Sequence, residues 1–256
     1  MALLRCDFFS EALQLSTSMT VILPQQTSTQ IGMTGRLQSG DAPVLYLLHG
    51  LSDDDSIWLR RTSIERYVAP LGFAVVMPQV HRSFYADEAY GNRYWTFLSE
   101  ELGAITNAFF KVSQRREDTF VAGLSMGGYG ALKWALRRPE RFAAAASLSG
   151  ALDVAGLQPQ SQRSDLLDRV FGSDPIAGSE NDLLALLDNA DSTTLPRLYV
   201  CCGTEDGLAD GNRKFLQTAS DNGISVTTDL GPGEHEWGYW DAKIQDVLAW
   251  FAAARS

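Results

Sequence analysis

Short apolar runs, each closed by Gly, Pro or a polar cluster, alternate along the chain with longer stretches of helical periodicity. The runs are SMTVILP (18–24), APVLYLLHG (42–50), FAVVMP (73–78), TFVAGL, FAAAASLSG, RLYVCCG and SVTTDL. Runs of this length and bounding predict buried strands. Between them TSIERYVAP, YWTFLSEELGAITNAFF, MGGYGALKWALRRP, SDLLDRVFG, NDLLALLDNA, DGNRKFLQTASDNG and WDAKIQDVLAWFAAA predict helices. Strand–helix alternation implies an α/β fold, a mostly parallel sheet with helices on both faces. Chemistry in such sheets gathers at the carboxyl ends of the strands. Those ends are His49-Gly50, Ser125, residues 149–153, residues 202–206 and residues 231–235.

Ser125 stands in Gly123-Leu124-Ser125-Met126-Gly127, where a strand pattern turns directly into a helix pattern. G-x-S-x-G in that context is a nucleophile elbow. The turning residue is forced into a strained backbone, and glycines two positions away on either side relieve the clash. A neutral hydroxyl is a poor nucleophile and needs a base. The chain has three histidines, His49, His81 and His235, and only His235 follows Ser125, as the order Ser, acid, His requires. The acid that orients the imidazole is sought after a strand between them. Asp206 is preferred, with Glu205 and Asp210 as neighbours and Asp153 as competitor. Two N–H donors for a developing oxyanion are expected at Met126, after the nucleophile, and at Leu51, in the loop after an early strand. His49 is read as bracing that loop.

Composition narrows the function. The chain of 256 residues is 45% hydrophobic and carries a net charge of -10. It shows no Lys/Arg cluster, which argues against nucleic acid and anionic membrane surfaces as partners. No apolar stretch approaches transmembrane length, and the N-terminus does not read as a signal peptide. Cys6, Cys201 and Cys202 form neither a disulfide framework nor a metal-ligand spacing and read as small buried hydrophobes, so a cytoplasmic location is expected.

The segments LYLLHGLSDDDSIWLRRTSIERY, YGNRYWTFLSEEL, AGLSMGGYGALKWAL, SLSGALD, CGTEDGLADGN and GEHEWGYWD together resemble the esterase D-like family, nearest to its tributyrin esterase branch of bacterial carboxylesterases. The likeness runs from about Cys6 to Phe251. It implies an α/β-hydrolase fold with Ser125 as nucleophile, Asp206 as acid, His235 as base, and oxyanion donors at Leu51 and Met126. It implies homo-oligomers as a common state. The chain departs from the branch at Gly207-Leu208-Ala209, where large residues often follow the acid. It departs again at His81 and Arg82, where smaller or neutral residues are common.

A single domain over residues 1–256 is expected, with a small cap-like insert at about 151–195. Trp58, Phe84, Tyr85 and Trp237 are the expected substrate contacts, while Trp95 and Trp240 are read as core. No lipase-like lid is evident, so short-chain acyl esters are the expected substrates, hydrolysed through an acyl-enzyme without cofactor or metal. The alternatives are a thioesterase of the S-formylglutathione hydrolase type, an acyltransferase, and a catalytically silent binding protein on a hydrolase fold.

Overall fold

The computed structural model describes residues 1–37, 39–157 and 164–255. Among the described residues eight strands form one sheet in the order β1-β2-β4-β3-β5-β6-β7-β8. The strands are β1 (Ala2–Ser10), β2 (Leu15–Leu23), β3 (Val44–Leu48), β4 (Ala74–Pro78), β5 (Thr119–Leu124), β6 (Ala144–Leu148), β7 (Arg197–Gly203) and β8 (Val226–Gly231). β1–β2 and β2–β4 pair antiparallel; every pair from β4 to β8 is parallel. The five-residue runs of β3, β4 and β6 are buried throughout. That is the signature of strands covered on both faces, and it explains why they read as continuous rather than alternating apolar runs.

The covering helices are α1 (Ile57–Arg61), α2 (Ile64–Val68), α3 (Tyr94–Thr96), α4 (Leu102–Phe109), α5 (Met126–Arg137), α6 (Val154–Leu157), α7 (Ser164–Phe171), α8 (Leu183–Asp188), α9 (Ala209–Asp221) and α10 (Trp237–Ala254). A π-helical turn, Phe97–Glu101, joins α3 to α4. Alternate residues of the central strands feed two separate cores. On one face Tyr46, Val121, Ala145 and Val200 pack with Leu102, Trp134 and Phe215, from α4, α5 and α9. On the other, Leu45, Phe120 and Ala146 pack with Trp58, Val68 and Phe251, from α1, α2 and α10. Each large apolar side chain so buried contributes about 1.5–3 kcal/mol.

Part of the expected insert, residues 158–163, lies outside the described residues. Its described helices α7 and α8 carry Leu167, Val170, Leu183 and Leu187 into the α5-side core. Cys201 and Cys202 are buried as expected, whereas Cys6 is only half-buried, because β1 forms an edge of the sheet. No described helix is long and apolar enough to cross a membrane.

Strand register sets the site. Leu48 pairs with Gly123, Leu124 with Leu148, Leu148 with Cys201 and Gly203 with Gly231. The carboxyl ends of β3, β5, β6, β7 and β8 therefore finish side by side, and the residues that follow each end meet along one edge.

Candidate active site

Ser125 is the single residue between β5 and α5 and sits at φ 54°, ψ -116°. A positive φ is costly for a residue with a Cβ, so the surroundings must hold it. They do: Ser125 N–H donates to Leu148 O at 3.0 Å, and its carbonyl accepts from Tyr129 N and Ala151 N, each at 3.1 Å. The flanking glycines are a steric necessity. A Cβ on Gly123 would stand 2.4 Å from the Gly127 carbonyl, and one on Gly127 would stand 2.4 Å from Leu48 O. Strand, turn and helix can approach this closely only without those side chains.

His235 follows β8 and precedes α10. Its Nε2 lies 3.0 Å from Ser125 Oγ, and its Nδ1 lies 2.8 Å from Asp206 Oδ2. Backbone contact brings the two loops together, since a Cβ on Gly203 would meet Gly233 O at 2.0 Å. The Asp206 side chain is fully buried while the imidazole is 36% exposed. Burial alone would raise the Asp206 pKa, but hydrogen bonds from His235 and from Leu208 N–H at 2.8 Å outweigh it and hold the carboxyl below its ordinary value. The carboxylate is then an acceptor, which places the proton on Nδ1 and leaves Nε2 free to take one from the serine. The other acids are engaged elsewhere: Asp153 with Lys214 Nζ at 2.8 Å, Glu205 with Gly233 N at 2.7 Å, and Asp210 with Arg213 at 2.6 Å.

The loop after β3 forms the opposite wall. His49 is buried, and burial pushes its pKa down despite the hydrogen bond to Gly50 O, so the ring is neutral. Val80 N–H donates to Nε2 at 3.2 Å, which leaves Nδ1–H to donate to Gly50 O at 2.7 Å. A trans peptide points its C=O and N–H in opposite directions. Turning the Gly50 carbonyl toward the His49 ring therefore turns Leu51 N–H away from it. Among the described residues that N–H donates to nothing. Met126 N–H, the first of α5, likewise has no partner within the helix.

Tyr85 O–H donates to His49 O at 2.9 Å, and Tyr85 O accepts from Lys133 Nζ at 3.0 Å. Lys133 is fully buried and, among the described residues, has no carboxylate in contact; its other acceptor is Asn181 Oδ1 at 2.6 Å. Burial, with Arg137 adding, pushes the ammonium down to about 7. The unfolded chain then holds more protons than the folded one from about pH 7 toward pH 10.5, so stability rises with pH across that window. Relative to Lys133→Met, the wild-type unfolding free energy is expected to climb there by at most about 1.4 kcal/mol per pH unit. Urea unfolding of both proteins at three pH values checks this, and a constant difference contradicts it.

Ser125 and His235 open onto a cleft of about 600 Å³, lined also by Leu51, Asp53, Arg61, Glu236, Trp237 and Trp240. Of the expected substrate contacts the structure places Trp237 there and corrects the other three. Trp58 is 1% exposed: α1 turns its indole inward, where Nε1 donates to Leu48 O at 3.1 Å and the ring supports Trp237 edge-on at 5.4 Å. Phe84 and Tyr85 follow one another at φ 48° and 51°. That left-handed turn buries Phe84 against Tyr129 and Phe171 and buries Tyr85 beneath the β3 loop. Trp240, read as core, belongs to the core and also reaches the cleft, edge-on to His235 at 4.9 Å. Asp53, Arg61 and Glu236 were not singled out from the sequence. Only the nearness of Asp53 to Leu51 and of Glu236 to His235 in the chain hinted at them.

The chain matches the family described as Putative esterase over residues 10–251. It belongs to that family. The esterase is 31% identical over 264 residues to an acetyl esterase of Caldicellulosiruptor saccharolyticus, with 98% of each chain covered. Among solved structures it is similar to the fluorophosphonate-binding serine hydrolase F of Staphylococcus aureus, determined with substrate bound, at 34% identity, TM-score 0.89 and 98% of both chains. It is also similar to an S-formylglutathione hydrolase of Staphylococcus aureus, at 33% identity, TM-score 0.85 and 98% of both chains. These likenesses agree with the esterase D-like resemblance and with the α/β-hydrolase sheet. The esterase is a carboxylic-ester hydrolase.

Proposed function

We propose that this esterase hydrolyses short-chain acyl esters through an acyl-enzyme on Ser125. The observation that carries the reading is the relay of Ser125 Oγ, the His235 ring and the Asp206 carboxylate at 3.0 and 2.8 Å. Ser125 Oγ attacks the ester carbonyl as His235 Nε2 takes its proton. Leu51 N–H and Met126 N–H receive the oxyanion. His235 then protonates the departing alcohol, and a water deprotonated by the same nitrogen releases the acid. Asp206 fixes the imidazole and stabilises its charged form.

The short-acyl preference rests on the indoles of Trp237 and Trp240, which wall the cleft beside Ser125. The likeness to an acetyl esterase supports it. The tributyrin esterase branch, a cytoplasmic location and small-molecule esters as the partners, rather than nucleic acid or membrane, belong to the same reading. The test is a p-nitrophenyl ester series. The expected kcat/KM is highest for acetate or butyrate and falls at least about ten-fold by octanoate; a rate rising with chain length contradicts it. The likeness to an S-formylglutathione hydrolase supports a second reading, thioester hydrolysis. Oxygen ester and thioester with the same acyl group, compared in kcat/KM, separate the two.

A further inference from the structure

β1 is a free edge of the sheet. β2 lies on its inner side, and among the described residues no strand pairs with its outer side. Its ladder with β2 runs unbroken from Ala2↔Leu23 to Ser10↔Leu15, and the strand contains neither Pro nor Gly. An edge this long and regular offers a row of N–H and C=O groups to any strand able to pair with it. Proteins usually blunt such edges with proline, bulges or lysine. Here the edge is apolar toward both ends, with Leu3 53%, Leu4 36% and Phe9 55% exposed. The hairpin end is also held in place. Glu101 accepts from Ser10 Oγ at 2.5 Å and from Glu11 N–H at 2.7 Å, so the strand is already ordered for pairing.

The sequence of this strand, A-L-L-R-C-D-F-F-S, is complementary to its own reverse about Cys6. Laid antiparallel against a second copy with Cys6 opposite Cys6, Arg5 of each copy faces Asp7 of the other. Leu4 faces Phe8, and Leu3 faces Phe9. Directly opposite residues share a face of the sheet and supply the stabilising side-chain contacts. Leu3, Arg5, Asp7 and Phe9 are all on the exposed face. The same complementarity fixes the register: a slip of two residues sets Arg5 against Arg5 or Asp7 against Asp7. On the other face, Phe109 is 53% exposed beside Phe8, with ring centroids 6.4 Å apart. Leu4 of the second copy would stand opposite Phe8 and cover that aromatic pair.

We propose that two copies of this chain dock through β1, antiparallel about a two-fold axis at Cys6, so that one sheet continues across both. Such a contact is isologous and closes after two copies, because each edge is consumed by the other.

Sedimentation of the full chain is expected to give a dimer, twice 28.1 kDa. Arg5→Glu and Asp7→Arg each turn two symmetry-related attractions into repulsions and are expected to weaken the dimer roughly ten- to thirty-fold. Both positions are exposed, and among the described residues each makes its ion pair with the other, with Asp55 and Asp54 the further charges near Arg5, so each variant is expected to keep a thermal unfolding midpoint close to wild type. Mixing the two variants is expected to recover wild-type affinity as a heterodimer, because the new acid then faces the new base. Opposed Cα atoms in an antiparallel pair are about 4.5–5.5 Å apart, within reach of a disulfide. Diamide, as oxidant, is therefore expected to link two chains through Cys6, and Cys6→Ser to abolish the link. A monomer at all concentrations overturns the proposal. So does a dimer indifferent to either charge reversal, which would place the contact on another surface, and so does a dimer that Cys6 does not cross-link.

Discussion

Ser125→Ala is expected to lower kcat for p-nitrophenyl acetate by at least about ten-thousand-fold, while the folded protein keeps its thermal stability. The magnitude follows from what the hydroxyl does. Without it there is no acyl-enzyme, and His235 can only direct water at a carbonyl held by the two N–H donors. That residual route retains oxyanion stabilisation and substrate positioning, so activity above background survives. Stability should hold because the strained turn is secured by backbone bonds to Leu148, Tyr129 and Ala151, none of which uses the hydroxyl. Rapid-mixing kinetics provide the check: wild type gives a burst of p-nitrophenol before steady turnover, and the variant gives none. Turnover within ten-fold of wild type would mean that another group attacks.

Asp206→Asn is expected to cost about a thousand- to ten-thousand-fold in kcat with little change in fold. The amide fits the same space, but its NH₂ can donate to Nδ1. The imidazole then carries its proton on Nε2, facing Ser125 Oγ, and has no free lone pair for the hydroxyl proton. The same substitution separates the two forms in acid. The Asp206 carboxyl is held below its ordinary value of 3.8, so the unfolded chain takes up the proton first as the pH falls. The carboxylate's contribution to stability is therefore fully present above about pH 4 and is lost as the pH drops through the folded value. The unfolding free-energy difference between wild type and Asp206→Asn should be level from neutral pH to about pH 4 and change below it. A difference that drifts across neutral pH would place the shift on another group.

Much of this architecture was legible in the chain because burial on both faces leaves a plain mark. β3, β4 and β6 are unbroken apolar runs, buried at every position. The elbow was legible for a steric reason: only glycine at 123 and 127 lets β5 turn straight into α5 against β3. β1 was not read as a strand, because Arg5 and Asp7 occupy its outward face and interrupt any apolar run. Phe84 and Tyr85 were expected at the mouth of the site, since aromatic residues in a polar loop suggest contact with a ligand. Two successive left-handed residues, Phe84 and Tyr85, turn that loop inward, and nothing in HRSFYAD announces the turn. Trp58 misled in the same way. A five-residue helix gives too little periodicity to tell its buried side from its exposed one. The cleft residues Arg61 and Glu236 line one cavity only because α1 and the β8–α10 loop converge, a fact of tertiary packing with no local signature.

The most direct test is the covalent capture of the proposed nucleophile. Incubated with a fluorophosphonate, the esterase is expected to gain one adduct per chain, located by peptide mass spectrometry on Ser125, with labelling slowed severely by His235→Ala and absent in Ser125→Ala. An adduct on any other residue, or an unlabelled protein that continues to hydrolyse esters in the presence of the reagent, would contradict the account.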